Sequence, residues 1–66
     1  MTNNAETVGL TYRALSSAER ARMYEVKEKG QEFLDLLDTL GHSEELVIAK
    51  RRLEEAVMWA VKHISS

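Results

Sequence analysis

The sequence predicts an all-α protein: an antiparallel two-helix hairpin with an N-terminal arm, assembling into a compact homo-oligomer. Three observations predict it. The 66 residues contain no Pro, and two long stretches carry apolar residues at helical spacing. Those stretches are separated only by the short Gly41-His42 connection, which forces neighbouring helices to run antiparallel. The chain is also too short to bury much of itself. A domain of this size hides only about 60% of its unfolded surface. With no Cys there is no disulfide and no thiolate metal site, and His42 and His63 have no metal-ligand spacing between them. Self-association is the remaining source of stability.

Residues 1–10 read as a polar, mobile N-terminus. The arm, 11–16, follows with Thr11-Tyr12-Arg13-Ala14-Leu15. Ser16-Ser17-Ala18-Glu19 then reads as a capping box, in which a Ser hydroxyl accepts from the third helical N–H and the Glu reaches back. The first helix is expected over 17–40. Within it Met23, Val26, Gly30, Phe33, Leu37 and Leu40 recur at alternating steps of three and four, the spacing of a coiled-coil-like seam. Gly30 interrupts that row at a cost of about 1 kcal/mol relative to Ala. Close approach of a partner helix or of a ligand would account for it.

Gly41 stands past the helix end as a left-handed C-terminal cap, and His42 completes the turn. The second helix is expected over 43–64. Ser43 caps it, and Glu44 and Glu45 suit the positive end of its dipole. Leu46, Ala49, Leu53, Ala56, Val57, Ala60, Val61 and Ile64 form one stripe, rich enough in Ala to pack closely. Ile48 and Trp59 lie on the opposite side of this helix, flanked by Met58. A hairpin buries one stripe per helix, so this second patch is left for an interface.

The net charge is −2, which disfavours duplex nucleic acid as a partner. The distribution is uneven. Between Arg13 and Lys29 lie Arg13, Arg20, Arg22, Lys27 and Lys29 against Glu19, Glu25 and Glu28. From Gln31 to Leu46 every charged residue is acidic: Glu32, Asp35, Asp38, Glu44 and Glu45. The turn is therefore the acidic end of the molecule. No apolar stretch has the length of a membrane span, and no signal-peptide pattern opens the sequence, so a soluble intracellular protein without a membrane partner is expected.

Chemistry-bearing residues have two readings each. Tyr12 either packs the arm against a helix or offers a stacking platform for a base, with packing the commoner use of such a ring. Tyr24, inside the first helix, reads as structural. Lys27 and Lys29, beside Glu25 and Glu28, form either a solvated mixed-charge face or a phosphate contact. Arg13 either stacks or clamps a phosphate, or simply faces solvent. Lys50-Arg51-Arg52 either touches phosphate or, the favoured reading, spreads around the helix and pairs with acids such as Glu54 and Glu55. His63 suits the C-terminal dipole of the second helix, and Trp59 suits an interface anchor. There is no Gly-rich phosphate loop, no nucleophile–base set and no metal cluster, so neither catalysis nor a cofactor is expected.

The pattern Tyr12-Arg13-x-Leu15-Ser16-x-x-Glu19, then Met23, Lys27 and Gly30, then Ala56-x-Met58-Trp59-Ala60-Val61-Lys62-His63-Ile64, resembles the phage anti-CBASS cyclic-oligonucleotide sponges. The resemblance spans about Thr11 to Ile64. It implies a helical hairpin that assembles as a homo-oligomer, a hexamer in known members. It also implies binding of cyclic di- and trinucleotide signals such as cGAMP between protomers, without cleavage, in the cytoplasm of the infected bacterial host. In the family an arm Tyr stacks on a base and a helix Lys meets the phosphates, roles that fall here on Tyr12 and Lys27, with Arg13 beside them. A separate trinucleotide site would draw on an Arg of the second half, Arg51 or Arg52. Two other functions stay open: a sponge for cyclic ADP-ribose-type Thoeris signals, and a helical protein-interaction module with no small ligand.

Overall fold

The computed structural model describes residues 14–66. The N-terminal stretch 1–10 and the arm residues Tyr12 and Arg13 lie outside the described residues. Two helices, α1 (Ser17–Asp38) and α2 (Glu44–Ser65), form a hairpin. Each has 22 residues, which at 1.5 Å per residue makes them about 33 Å long.

Local chemistry sets three of the four helix ends. Ser16 is the N-cap of α1 in extended conformation. Its Oγ accepts from the Glu19 N–H at 3.0 Å, and Glu19 Oε1 accepts from the Ser16 N–H at 2.9 Å. The expected capping box is complete. Ser43 caps α2 by accepting from the Leu46 N–H at 3.1 Å. The end of α1 comes earlier than Leu40. The Thr39 N–H bonds the Leu36 carbonyl at 3.0 Å and the Leu40 N–H bonds that of Leu37 at 3.1 Å, so the last turn tightens to three-residue steps. The Thr39 hydroxyl adds a bond to the Leu36 carbonyl at 2.6 Å. Gly41 carries the reversal at φ +114°, a conformation L side chains rarely adopt. The end of α1 holds no basic residue of its own. Lys50 of α2 supplies one, reaching Asp38 at 2.6 Å.

Packing is thin. Leu37 is the one buried residue among those described, at 8% exposure. The α1 side of the seam consists of half-buried Met23, Val26, Gly30 and Leu34 together with Leu37. Phe33 and Leu40, expected in that row, are exposed instead, at 53% and 63%. The reason lies in the facing helix. Leu34 shares a cleft with Leu53 and Val57, which are bulky enough to cover it. At 3.6 residues per turn, Phe33 falls on the other flank, where α2 offers the small Ala49 and Ala56. Ala56 is itself exposed, against the expected stripe, whereas Leu46, Ala49, Leu53, Val57, Ala60, Val61 and Ile64 are half-buried as expected.

The interruption at Gly30 has a steric cause. A Cβ built there would lie 2.5 Å from Val57 Cγ2. The expected second patch of α2 is exposed in the single chain: Ile48 at 54%, with Met58 and Trp59 at 56%. No helix among the described residues is long and apolar enough to cross a membrane.

Candidate functional site

The arm joins α1 under tight local control. Leu15, just before the cap, is half-buried, and Arg20 Nη1 donates to its carbonyl oxygen at 2.9 Å. Arg20 holds the position where a hydrophobic staple would place an apolar side chain. Here a hydrogen bond sets the direction from which the arm enters. Leu15, Arg20, Met23, Tyr24 and Lys27 line one concavity, so Leu15 of the arm and Lys27 come together.

Lys27 is exposed and has no ion pair or hydrogen bond among the described residues. That sets it apart from most cations of the chain. Arg22 pairs with Glu25 at 2.9 Å, and Lys29 with Glu32 at 3.4 Å. Lys50 pairs with Asp38, and Arg52 with Glu55 at 3.5 Å. Lys62 Nζ sits 5.0 Å from the centre of the Trp59 ring. On the mixed-charge face expected around Lys27 and Lys29, Lys29 has an acidic partner, whereas Lys27 is solvent-exposed without one among the described residues. No acid stands three or four residues from Lys27, where a helix would bring one within reach.

Of the second-half arginines, Arg52 is engaged with Glu55. Arg51 is exposed without a polar partner among the described residues. Neither lines a concavity that contains Lys27. The trio thus pairs in part: Lys50 reaches an acid of the other helix, Arg52 reaches Glu55, and Arg51 pairs with none.

A second cleft runs between the helices over Gly30. Lys27 and Gln31 of α1 and Glu54 of α2 line it, and Leu34, Leu53 and Val57 complete the apolar part. At its floor Val57 packs onto Gly30, in the space a Cβ would need. Gln31 Nε2 donates to Asp35 Oδ1 at 2.9 Å, which orients the amide. Lys27 and Gln31 also line a concavity with Tyr24 and the acids Glu28, Glu32 and Asp35.

Tyr24 corrects the expectation of a packed ring. It is 72% exposed, and it shares two concavities with Lys27, one turn away. The available signal was the polar run Tyr24, Lys27, Glu28 and Gln31, spaced to share one helix face. Among the described residues, no group of three His, Cys, Asp or Glu gathers to hold a metal.

Lys27 and the oriented amide of Gln31 border both an apolar cleft edged by Glu54 and a separate concavity that carries the exposed Tyr24 ring. The fold and site define a small helical-hairpin domain with open clefts on its surface. The chain belongs to the Acb2/Tad1 hairpin-domain family, whose model matches residues 6–65. This is the anti-CBASS sponge family that the arm and helix motifs resemble. It is a sponge-type binding domain, and membership is consistent with a phage anti-defence sponge. The match spans the positions of Tyr12, Arg13 and Lys27. Comparison with curated proteins and with solved structures gives no match.

Proposed function

We propose that this protein is a phage anti-defence sponge. It binds cyclic di- and trinucleotide signals without cleaving them and so denies them to the CBASS effector, in the cytoplasm of the infected bacterial host. Family membership supports the class. The observation that carries the ligand chemistry is Lys27: a cation without an ionic partner among the described residues, sharing a concavity with the end of the arm. A Lys in that state can give charge-assisted hydrogen bonds to a phosphate without first breaking an internal pair. Tyr12, on the arm, stacks on a base, and Arg13 supports it.

The functional unit is a homo-oligomer, a hexamer by the resemblance. A hairpin with one buried residue among those described has little interior of its own, and its exposed Phe33, Leu36, Ile48 and Trp59 are apolar surface for further copies. A cyclic dinucleotide has approximate two-fold symmetry, which a two-fold interface matches with paired Tyr12 and Lys27.

Isothermal calorimetry against a panel of cyclic dinucleotides, cyclic trinucleotides and cyclic ADP-ribose isomers tests the reading. Heat with the cyclic oligonucleotides supports it. Heat only with the ADP-ribose isomers transfers the role to Thoeris signals. No heat with any of them leaves a protein-interaction module, for which the Ile48–Trp59 patch is the surface.

A further inference from the structure

We propose that Glu54 reads the edge of a guanine base in the cleft over Gly30, and so makes this site favour guanine-containing cyclic nucleotides. The inference rests on the sponge reading above and goes beyond it in assigning base selectivity to a residue of α2.

Lys27 and Glu54 carry opposite charges and line the same cleft from different helices, yet no ion pair joins them. Glu54 also has no hydrogen-bond partner among the described residues. Its neighbour Glu55 differs, being paired with Arg52 at 3.5 Å. The cleft thus holds a cation and a carboxylate that are separately available, with an apolar floor that suits the face of a ring. Val57 packs directly on Gly30 in that floor, and the oriented amide of Gln31 lines the cleft with Lys27.

An unpaired carboxylate beside a phosphate-binding lysine repels a dianionic ligand unless it receives hydrogen bonds from that ligand. Of the common bases, guanine presents two adjacent N–H donors, N1–H and the N2 amino group, which a carboxylate accepts together. Adenine offers one amino group beside an acceptor nitrogen, so a carboxylate there gains one bond and suffers one repulsion. The amide of Gln31 keeps one N–H and its oxygen free for a second polar contact.

The test compares Kd values for cyclic diguanylate and cyclic diadenylate by calorimetry on the full chain, for wild type, Glu54→Gln, Glu54→Ala and Glu55→Gln. Wild type is expected to favour the diguanylate. Each Glu54 variant is expected to lower the guanine-to-adenine preference at least about fivefold, the lower end of what one bidentate base contact discriminates. Glu55→Gln removes the same charge outside the cleft and is expected to leave the preference unchanged. If Glu54 is only a solvated acid, both ligands gain affinity by the same factor in the variants, and the inference is overturned. A wild type that binds the diadenylate alone overturns it as well and leaves the sponge reading standing. A wild type that binds no cyclic nucleotide removes both.

Discussion

Gly30 and Val57 meet where nothing larger than hydrogen fits: a Cβ on Gly30 would lie 2.5 Å from Val57 Cγ2. The contact sets how near the two helices lie, and with that the width of the cleft that holds Lys27 and Glu54.

Gly30→Ala is therefore expected to destabilise the hairpin, although Ala is the better helix former by about 1 kcal/mol. Overpacking of this kind costs about 1–3 kcal/mol. Thermal unfolding followed by circular dichroism reads the loss. Adding Val57→Ala, which removes the opposing methyl groups, is expected to recover part of it. A double mutant no better than the sum of its parts counts against direct contact.

The capping box predicts a second effect. Ser16→Ala removes the acceptor for the Glu19 N–H and is expected to cost about 1 kcal/mol, with Ser43→Ala similar for α2. Only the Ser16 variant is also expected to weaken ligand binding, because Ser16 ends the arm. Chemical denaturation combined with calorimetry separates the two.

Lys50 and Asp38, 2.6 Å apart, join the helices beside the turn. The Asp38 side chain is 56% exposed, so solvent screens the pair. Lys50→Gln is expected to lower stability by less than about 1 kcal/mol in dilute buffer. The difference from wild type is expected to close as sodium chloride rises. A difference that persists at high salt would point to packing by the lysine stem instead.

Ligand contacts give larger effects. Tyr12→Ala is expected to lose about 1–3 kcal/mol of binding, the range for one base stacked on an aromatic ring. Lys27→Ala is expected to lose about 1.5–3 kcal/mol, as for a hydrogen bond to a charged group. Both variants are expected to keep the native mass of the assembly, measured by native mass spectrometry. Trp59→Asp, on the outer face of α2, is expected to do the reverse and lower that mass.

Residues differ in how far the sequence disclosed them. The caps at Ser16 and Ser43 were legible because a side chain and an N–H three residues apart settle the matter locally. Gly30 announced a close approach without naming the neighbour, which only the pairing of the helices identifies as Val57. Phe33 and Leu34 sit on either side of the seam, and the choice between them depends on which flank of α2 carries bulk. The isolation of Lys27 was legible too, because the positions three and four residues away, Met23, Tyr24, Gly30 and Gln31, carry no acid. Tyr24 reads as structural because aromatic rings inside helices commonly pack. Its exposure follows from the register of a hairpin too thin to cover it. The fold was thus legible from periodicity and caps, whereas the cleft required both helices in register.

The separation of charge along the hairpin also has a kinetic meaning. Asp35, Asp38, Glu44 and Glu45 gather toward the turn, where Lys50 offsets one of them, while Arg20, Arg22 and Lys62 lie toward the opposite, open end of the antiparallel pair and Lys27 at the middle of α1. A ligand carrying two negative phosphates is turned away from one pole and drawn toward the other before any contact forms. Such steering raises the association rate and fades with ionic strength. In the proposed sponge role, which requires intercepting a diffusing anion ahead of a competing receptor, Glu44 and Glu45 at the turn contribute to capture speed without touching the ligand.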